Sequence, residues 1–302
     1  MRVSVVIPAY RAEATIGRTL DSVLAQTYPA HEIIVVDDGS PDNQVAVIRQ
    51  RACERLILLQ QPNGRTARAR NTGVERATGE AIAFLDADDY WEPSKLEEQV
   101  AIFARHPEVG MVAGVSYSEP PGQSRIAPQL ERRALRDYDR VLRVRRAGRV
   151  RIAARTWTGM VMIRRQALGE ARFVSGLEPA EDRDLWLRML CHPVYLGSRP
   201  LATAVLEPGS ISRGSLDVDC QSMLKVIQRN REGLGIWGYR IWTSYTLLRW
   251  SALNPRQAPS FRRLARSCLL WPLPYSAYLP APRLVRVKRW GVLLRQLLSN
   301  AS

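Results

Sequence analysis

The chain has 302 residues, of which 46% are hydrophobic and 24% charged, and its formal net charge is +15. A chain of this length and composition buries a sizeable core, which excludes wholesale disorder, a collagen-like repeat and a small disulfide-stapled scaffold. No apolar run approaches the roughly 20 residues that cross a bilayer as a helix.

The first strand is expected at Val3 to Ile7, a β-branched run stopped by Pro8. Its apolar stretch is too short for the core of a secretory signal, so the expected location is the cytosol. Ala14 to Gln26 places Ile16, Leu20, Val23 and Leu24 on one helical face. Glu32 to Val36 reads as a second strand running into the turn cluster Asp37-Asp38-Gly39-Ser40-Pro41. A helix over Asn43 to Ala52, a strand over Leu56 to Leu59 and a helix over Thr66 to Ala77 follow, the last closed by Gly79. Ala81 to Leu85 is a strand that ends in Asp86-Ala87-Asp88-Asp89, Pro93 opens a helix, and Val109 to Val115 is a strand. Such alternation of helices with continuous apolar strands predicts an α/β fold with a parallel sheet covered on both faces.

Past residue 116 the pattern weakens. Residues 118–155, rich in arginine and broken by Pro120-Pro121-Gly122, read as a long surface excursion. Trp157 to Arg164 reads as strand and Glu181 to Leu190 as helix. Cys53, Cys191, Cys220 and Cys268 form no CxxC pair and read as reduced and structural.

Chemistry concentrates where acids follow strands. In open α/β sheets ligands bind beyond the carboxyl ends of the strands. Asp37 and Asp38 end one strand, and Asp86, Asp88 and Asp89 follow another. Five carboxylates on one rim are costly unless a cation or hydrogen-bond donors compensate, and a hard divalent ion is the simplest expectation. His31, His106 and His192 lack ligand spacing, so no histidine is assigned to a metal. A dehydrogenase is disfavoured because no GxGxxG follows the first strand. A nucleotidyltransferase is disfavoured because the first loop, Pro8-Ala9-Tyr10-Arg11-Ala12, lacks glycine. An acidic rim also argues against specific nucleic-acid binding.

The segments Ser4-Val5-Val6-Ile7-Pro8-Ala9-Tyr10, Asp37-Asp38-Gly39-Ser40, Ala69-Arg70-Asn71, Phe84-Leu85-Asp86-Ala87-Asp88-Asp89 and Glu181-Asp182 together resemble the family 2 inverting glycosyltransferases of GT-A fold, over about residues 1–215, which implies a mostly parallel sheet flanked by helices. The resemblance implies a nucleotide-diphosphate sugar as donor, a UDP-sugar foremost, and Mn²⁺ or Mg²⁺ as cofactor. Pro8, Ala9 and Tyr10 would line the base, Glu13 would stand near it, and Asp38 would accept a hydrogen bond from it. Asp86 would contact the ribose, Asp88 would bind the metal, and Asp182 would be the catalytic base. Arg70 would meet the diphosphate or the base, and Arg213, in Ser210-Ile211-Ser212-Arg213, the phosphates. Trp157 reads equally as a sugar platform or as core.

The expected division is a nucleotide-sugar half over 1–115, an acceptor and base half over 116–232, and a basic extension over 233–302. That extension holds ten Arg, Lys288 and no acid, together with five of the eight Trp. Tyr239 to Leu253 and Leu284 to Leu298 read as interfacial helices against anionic lipid, or as helices packed on the catalytic domain. The implied acceptor is a hydroxyl of a glycan or a lipid-linked sugar, with peripheral membrane contact; the alternatives are an inactive scaffold of the same fold and a nucleotidyltransferase.

Overall fold

A computed structural model describes residues 1–120, 122–126, 138–206 and 216–253. In chain order its strands are β1 (Val3–Ala9), β2 (Glu32–Asp37), β3 (Leu56–Gln60), β4 (Ala81–Phe84), β5 (Tyr90–Trp91), β6 (Met111–Gly114), β7 (Tyr117–Glu119), β8 (Arg140–Leu142), β9 (Met162–Arg164), β10 (Val194–Gly197) and β11 (Ala202–Val205). The helices are α1 (Ile16–Leu24), α2 (Gln44–Arg49), α3 (Arg65–Arg76), α4 (Lys95–Arg105), α5 (Arg149–Ala153), α6 (Arg165–Leu168), α7 (Glu181–Met189), α8 (Leu216–Arg229) and α9 (Arg231–Leu253).

Eight strands form one sheet in the order β3-β2-β1-β4-β9-β6-β10-β8, and β5-β11-β7 form a second. β1 runs parallel to β2 and β4, β2 to β3, and β10 to β6. Side chains alternate across the sheet. Val6, Ile34, Val36 and Phe84 enter a core with α3, α5 and α7, while Val5, Ile7, Ile33 and Val35 enter a second core with α1 and α4. Burial on both faces is why these strands read as unbroken apolar runs.

β9 lies antiparallel between β4 and β6, and β8 antiparallel on β10, so the sheet is mostly parallel, as the GT-A resemblance implies. Several elements differ from the sequence reading. β1 continues through Pro8 to Ala9. Its ladder to β4 ends at Val6–Phe84, and Val6 is the residue whose carbonyl accepts from Leu85 on that side (3.1 Å). Pro8 faces the same side two residues later, beyond the ladder, where its missing N–H costs no bond. Trp157–Arg164 is not one strand: a 3₁₀ turn over Thr158–Met160 precedes the three-residue β9. The 118–155 stretch is not all surface excursion, since α5 buries Val150, Ile152 and Ala153.

α4 starts at Lys95, two residues after Pro93. Lys95 is fully buried, its ammonium donating to Gln99 Oε1 (2.7 Å) and lying 3.9 Å from the Trp91 ring centre. Burial pushes this amine well below its ordinary value. Between its lowered folded pKa and the unfolded value of about 10.4 the unfolded chain binds the extra proton, so folding gains stability as pH rises. Relative to Lys95→Met, the wild type should gain about 1.4 kcal/mol per pH unit within that window. Denaturant melts of both proteins at several pH values check this; a constant difference between them contradicts it.

The start of the basic extension packs on the domain. α9 breaks at Gly235, whose φ of 66° suits glycine, then buries Ile241, Trp242 and Leu247. Trp250 Nε1 donates to Asp217 on α8 (2.5 Å), and Arg249 pairs with Asp219 (3.0 Å). Tyr239 to Leu253 is therefore a packed helix and not a free interfacial one. Leu284 to Leu298 lies outside the described residues. Cys53 and Cys191 are exposed free thiols and Cys220 is buried, so among the described residues only Cys220 fits the structural reading, and Cys268 lies outside them. Among the described residues no helix is long and apolar enough to cross a membrane.

Candidate active site

The carboxyl ends of β1, β2 and β4 share one rim. β1 delivers Pro8 and Ala9, both buried, and the chain turns out at Tyr10, which is 45% exposed with the Arg11 guanidinium 5.4 Å from its ring centre. This first loop is held by the segment after β2. Gln44 is wholly buried: its Oε1 accepts from the Ala12 amide (2.9 Å), and its Nε2 donates to Ala9 O (3.2 Å) and Asp37 Oδ1 (2.7 Å). Glu13 Oε2 accepts from the Asn43 amide (3.0 Å), and the Glu13 amide donates to Asp42 (3.0 Å).

Asp37 and Asp38 are both buried and differently used. Asp37 accepts from Gln44, from Gln60 (3.0 Å) and from the Ser40 amide (3.1 Å). Asp38 Oδ1 accepts from Gln61 Nε2 (2.7 Å) and the Gly64 amide (2.9 Å). Gly39, with φ of 67°, turns the chain directly after them; a Cβ there would sit 2.8 Å from the Asn63 nitrogen.

The second acidic group meets a buried arginine. Arg70, on α3 and 4% exposed, donates through Nη2 to Asp86 Oδ1 (2.6 Å) and through Nη1 to Glu181 Oε1 (2.8 Å). Burial alone would lower its pKa, but the charges of Asp86, Glu181 and Asp182 outweigh that and raise it. Glu181 goes the other way. Burial pushes its carboxyl up to about 7, against the pull of Arg70 and with the charge of Asp182 adding to the rise. One cation shared among three acids explains both directions. Arg70 Nε and Glu181 Oε2 are buried without a hydrogen-bond partner.

Packing brings Glu181 and Asp182 here. Trp186 lies against Phe84, the last residue of β4, and both meet Phe173, with ring centres 5.4 to 5.7 Å apart. Asp182 is four residues before Trp186, one helical turn up the same face, which sets it over the strand end. Its Oδ1 accepts from the Arg183 amide (2.6 Å) and its Oδ2 from the Thr158 hydroxyl (3.1 Å). Asp89 is buried, accepting from Trp157 Nε1 (2.7 Å) and the Val205 amide (2.9 Å). Burial, then the charges of Asp88 and Asp86, push its carboxyl well up. Asp88 is half-buried on the same loop, and its carbonyl accepts from Arg18 (3.1 Å).

The expected compensation by a divalent ion is thus largely replaced by donors: Asp37, Asp38 and Asp89 by amides, glutamines and Trp157, and Asp86 by Arg70. Among the described residues no three His, Cys, Asp or Glu side chains form a metal cage. An ion such as Mg²⁺ takes one or two protein oxygens and completes its shell with substrate phosphate and water, so it needs no such cage. Of the residues singled out from sequence, Pro8, Ala9 and Asp38 stand at the ends of β1 and β2, Glu13 is tied to the segment after β2, Arg70 pairs with Asp86, and Asp182 bonds to Thr158; Arg213 lies outside the described residues. Gln44, Thr158 and Glu181's pairing with Arg70 were not anticipated. Thr158 follows Trp157, which reads as a sugar platform or as core, whereas a lone glutamine such as Gln44 carries no signal.

Residues 4–170 match the family model described as "Glycosyl transferase family 2". The Escherichia coli UDP-Glc:alpha-D-GlcNAc-diphosphoundecaprenol beta-1,3-glucosyltransferase WfgD is 41% identical over 105 residues, 34% of this chain and 42% of that protein. The chain spans 36% to 42% of the length of three curated relatives it matches. Among solved structures, S. aureus TarS 1-349 in complex with UDP-GlcNAc superimposes with a TM-score of 0.67 at 21% identity, over 85% of this chain and 74% of that one. The mannosyltransferase PcManGT from Pyrobaculum calidifontis, in complex with GDP-Man and Mn²⁺, gives 0.58 at 19% identity, over 92% and 82%. These likenesses agree with the GT-A fold read from the motifs, and the family model matches more than half of the sequence: the chain belongs to glycosyl transferase family 2.

Proposed function

We propose that the protein transfers a sugar, with inversion, from a nucleotide-diphosphate sugar to a hydroxyl of a glycan or lipid-linked acceptor. The observation that carries this reading is the buried Arg70 bridge, which ties the acidic end of β4 to Glu181 beside Asp182. Donor recognition falls to residues 1–115 and the base to residues 116–232. Pro8, Ala9 and Tyr10 line the nucleobase, with Glu13 bracing their loop, and Asp38 accepts from the base. That role favours uracil or thymine, whose imide N–H donates. Asp86, oriented by Arg70, faces the ribose. Arg213 contacts the phosphates.

Mg²⁺ or Mn²⁺ at Asp88 would supply charge neutralisation for the departing diphosphate. The chain's own residues do the rest. Asp182 takes the proton from the acceptor hydroxyl, whose oxygen forms the new bond to the anomeric carbon. The bond from that carbon to the phosphate oxygen breaks, and the nucleoside diphosphate leaves on the opposite face. The relatives lend the donor class: WfgD is named for UDP-Glc, TarS is seen with UDP-GlcNAc and PcManGT with GDP-Man and Mn²⁺. A UDP-sugar is the first choice. WfgD is also named for a diphosphate-lipid acceptor, and a lipid-linked acceptor would suit peripheral membrane contact through residues 233–302, where Ile236 and Trp237 are exposed.

Nucleotide sugars supplied with Mn²⁺ should give diphosphate release with one nucleotide class. Asp88→Ala should lose at least about 100-fold of the metal-dependent rate, on the scale of one lost electrostatic contact to the leaving group. Full turnover by Asp88→Ala contradicts the metal assignment, and no release from any nucleotide sugar contradicts the function.

A further inference from the structure

We infer that the 3₁₀ turn Thr158–Met160 is the positioning element of the Asp182 carboxylate, with Thr158 as its contact residue. The inference rests on the proposed role of Asp182 and adds a residue to it.

The turn is pinned from the donor side of the molecule. Trp91 Nε1 donates to Gly159 O (2.8 Å), and Gln99 Nε2 donates to Met160 O (2.7 Å). The Phe84 amide at the end of β4 donates to Val161 O (3.3 Å). At its entry Trp157 Nε1 donates to Asp89 Oδ2 (2.7 Å), in the acidic loop itself. Thr158, Gly159 and Met160 are all buried. A short turn held at each carbonyl has little freedom, and it presents one polar side chain outward from its first residue. That side chain is the Thr158 hydroxyl, which donates to Asp182 Oδ2 (3.1 Å).

Asp182 itself sits on a different element. Its other oxygen is fixed by the Arg183 amide of α7 (2.6 Å). Two donors from two elements therefore set the rotation of the carboxylate. The backbone donor fixes Oδ1 relative to the helix, and Thr158 fixes Oδ2 relative to β4 and the acidic loop. A base must lie within hydrogen-bond reach of the proton it removes, so a carboxylate free to swing loses rate without losing donor affinity. The β-branched Thr158 adds stiffness at χ1 that serine lacks.

The test uses the full chain with the nucleotide sugar selected by diphosphate release. Thr158→Val keeps the branched shape and removes the donor. It should lower kcat by tenfold or more, on the scale of one hydrogen bond to a charged group, with donor KM unchanged within about twofold. Thr158→Ser restores the hydroxyl and should recover most of the rate. In an Asp182→Asn background Thr158→Val should cost nothing further, because the group it positions is gone. Melting temperatures report folding, and Thr158→Ala replaces the valine variant should the latter not fold. If Asp182→Asn retains turnover, the base assignment falls and this inference with it. If Asp182→Asn is inactive while Thr158→Val turns over at the wild-type rate, or if its loss persists undiminished in the Asp182→Asn background, only the positioning role falls.

Discussion

Arg70→Met is expected to lower the melting temperature by at least about 6 °C and to abolish transfer. The guanidinium is the partner of two buried carboxylates, Asp86 and Glu181. Removing one member of a buried charge pair costs roughly 3–5 kcal/mol because the other is left uncompensated, and a large domain loses about 2–4 °C per kcal/mol. The loss should depend on pH. Burial already holds Glu181 up near 7 with Arg70 in place, and losing the cation raises it further. A carboxyl raised in the folded state contributes stability below its unfolded value of about 4.3, and that contribution fades as pH rises. The deficit should therefore shrink from pH 8 towards pH 5, and Glu181→Gln in the same chain should recover part of it. Calorimetric melts across that range check both statements. A pH-independent deficit would mean that Arg70 matters for its packing on Phe173, whose ring centre lies 5.2 Å away, and not for its charge.

β1, β2 and β4 were legible because burial on both faces leaves few polar positions to interrupt them, and the half-buried edge strand β3 because of its Leu-Ile-Leu-Leu run. Val5, Ile33 and Ile82 belong to runs that only a covered sheet accepts. β9 was not legible. It is three residues long, and its antiparallel place between β4 and β6 depends on partners far away in sequence. The acids of the site stood out because strand ends seldom carry so many. What holds them did not, because Gln44 and Thr158 are ordinary surface residue types whose burial only the fold reveals. The same reason hid Lys95: a lysine in the first turn of an amphipathic helix reads as solvated until Trp91 and Gln99 close over it. The Trp and Arg content of the extension suggested an interface, yet Trp242 and Trp250 are spent on packing and on Asp217.

The central claim is that one rim binds the donor and that Asp182 alone removes the acceptor proton. Asp182→Asn keeps the shape and the helix start while removing the basic oxygen. General-base catalysis is worth about 10²–10⁴ in rate, so kcat should fall by that factor. Binding of the nucleoside diphosphate with Mn²⁺ should stay within about twofold, because the donor contacts assigned to Tyr10, Asp38, Asp86 and Asp88 are untouched. Titration calorimetry and single-turnover transfer on the same preparation of Asp182→Asn measure the two quantities together. Intact binding with transfer lost is the expected result; transfer at the wild-type rate, or binding lost along with it, would overturn the proposed role of Asp182.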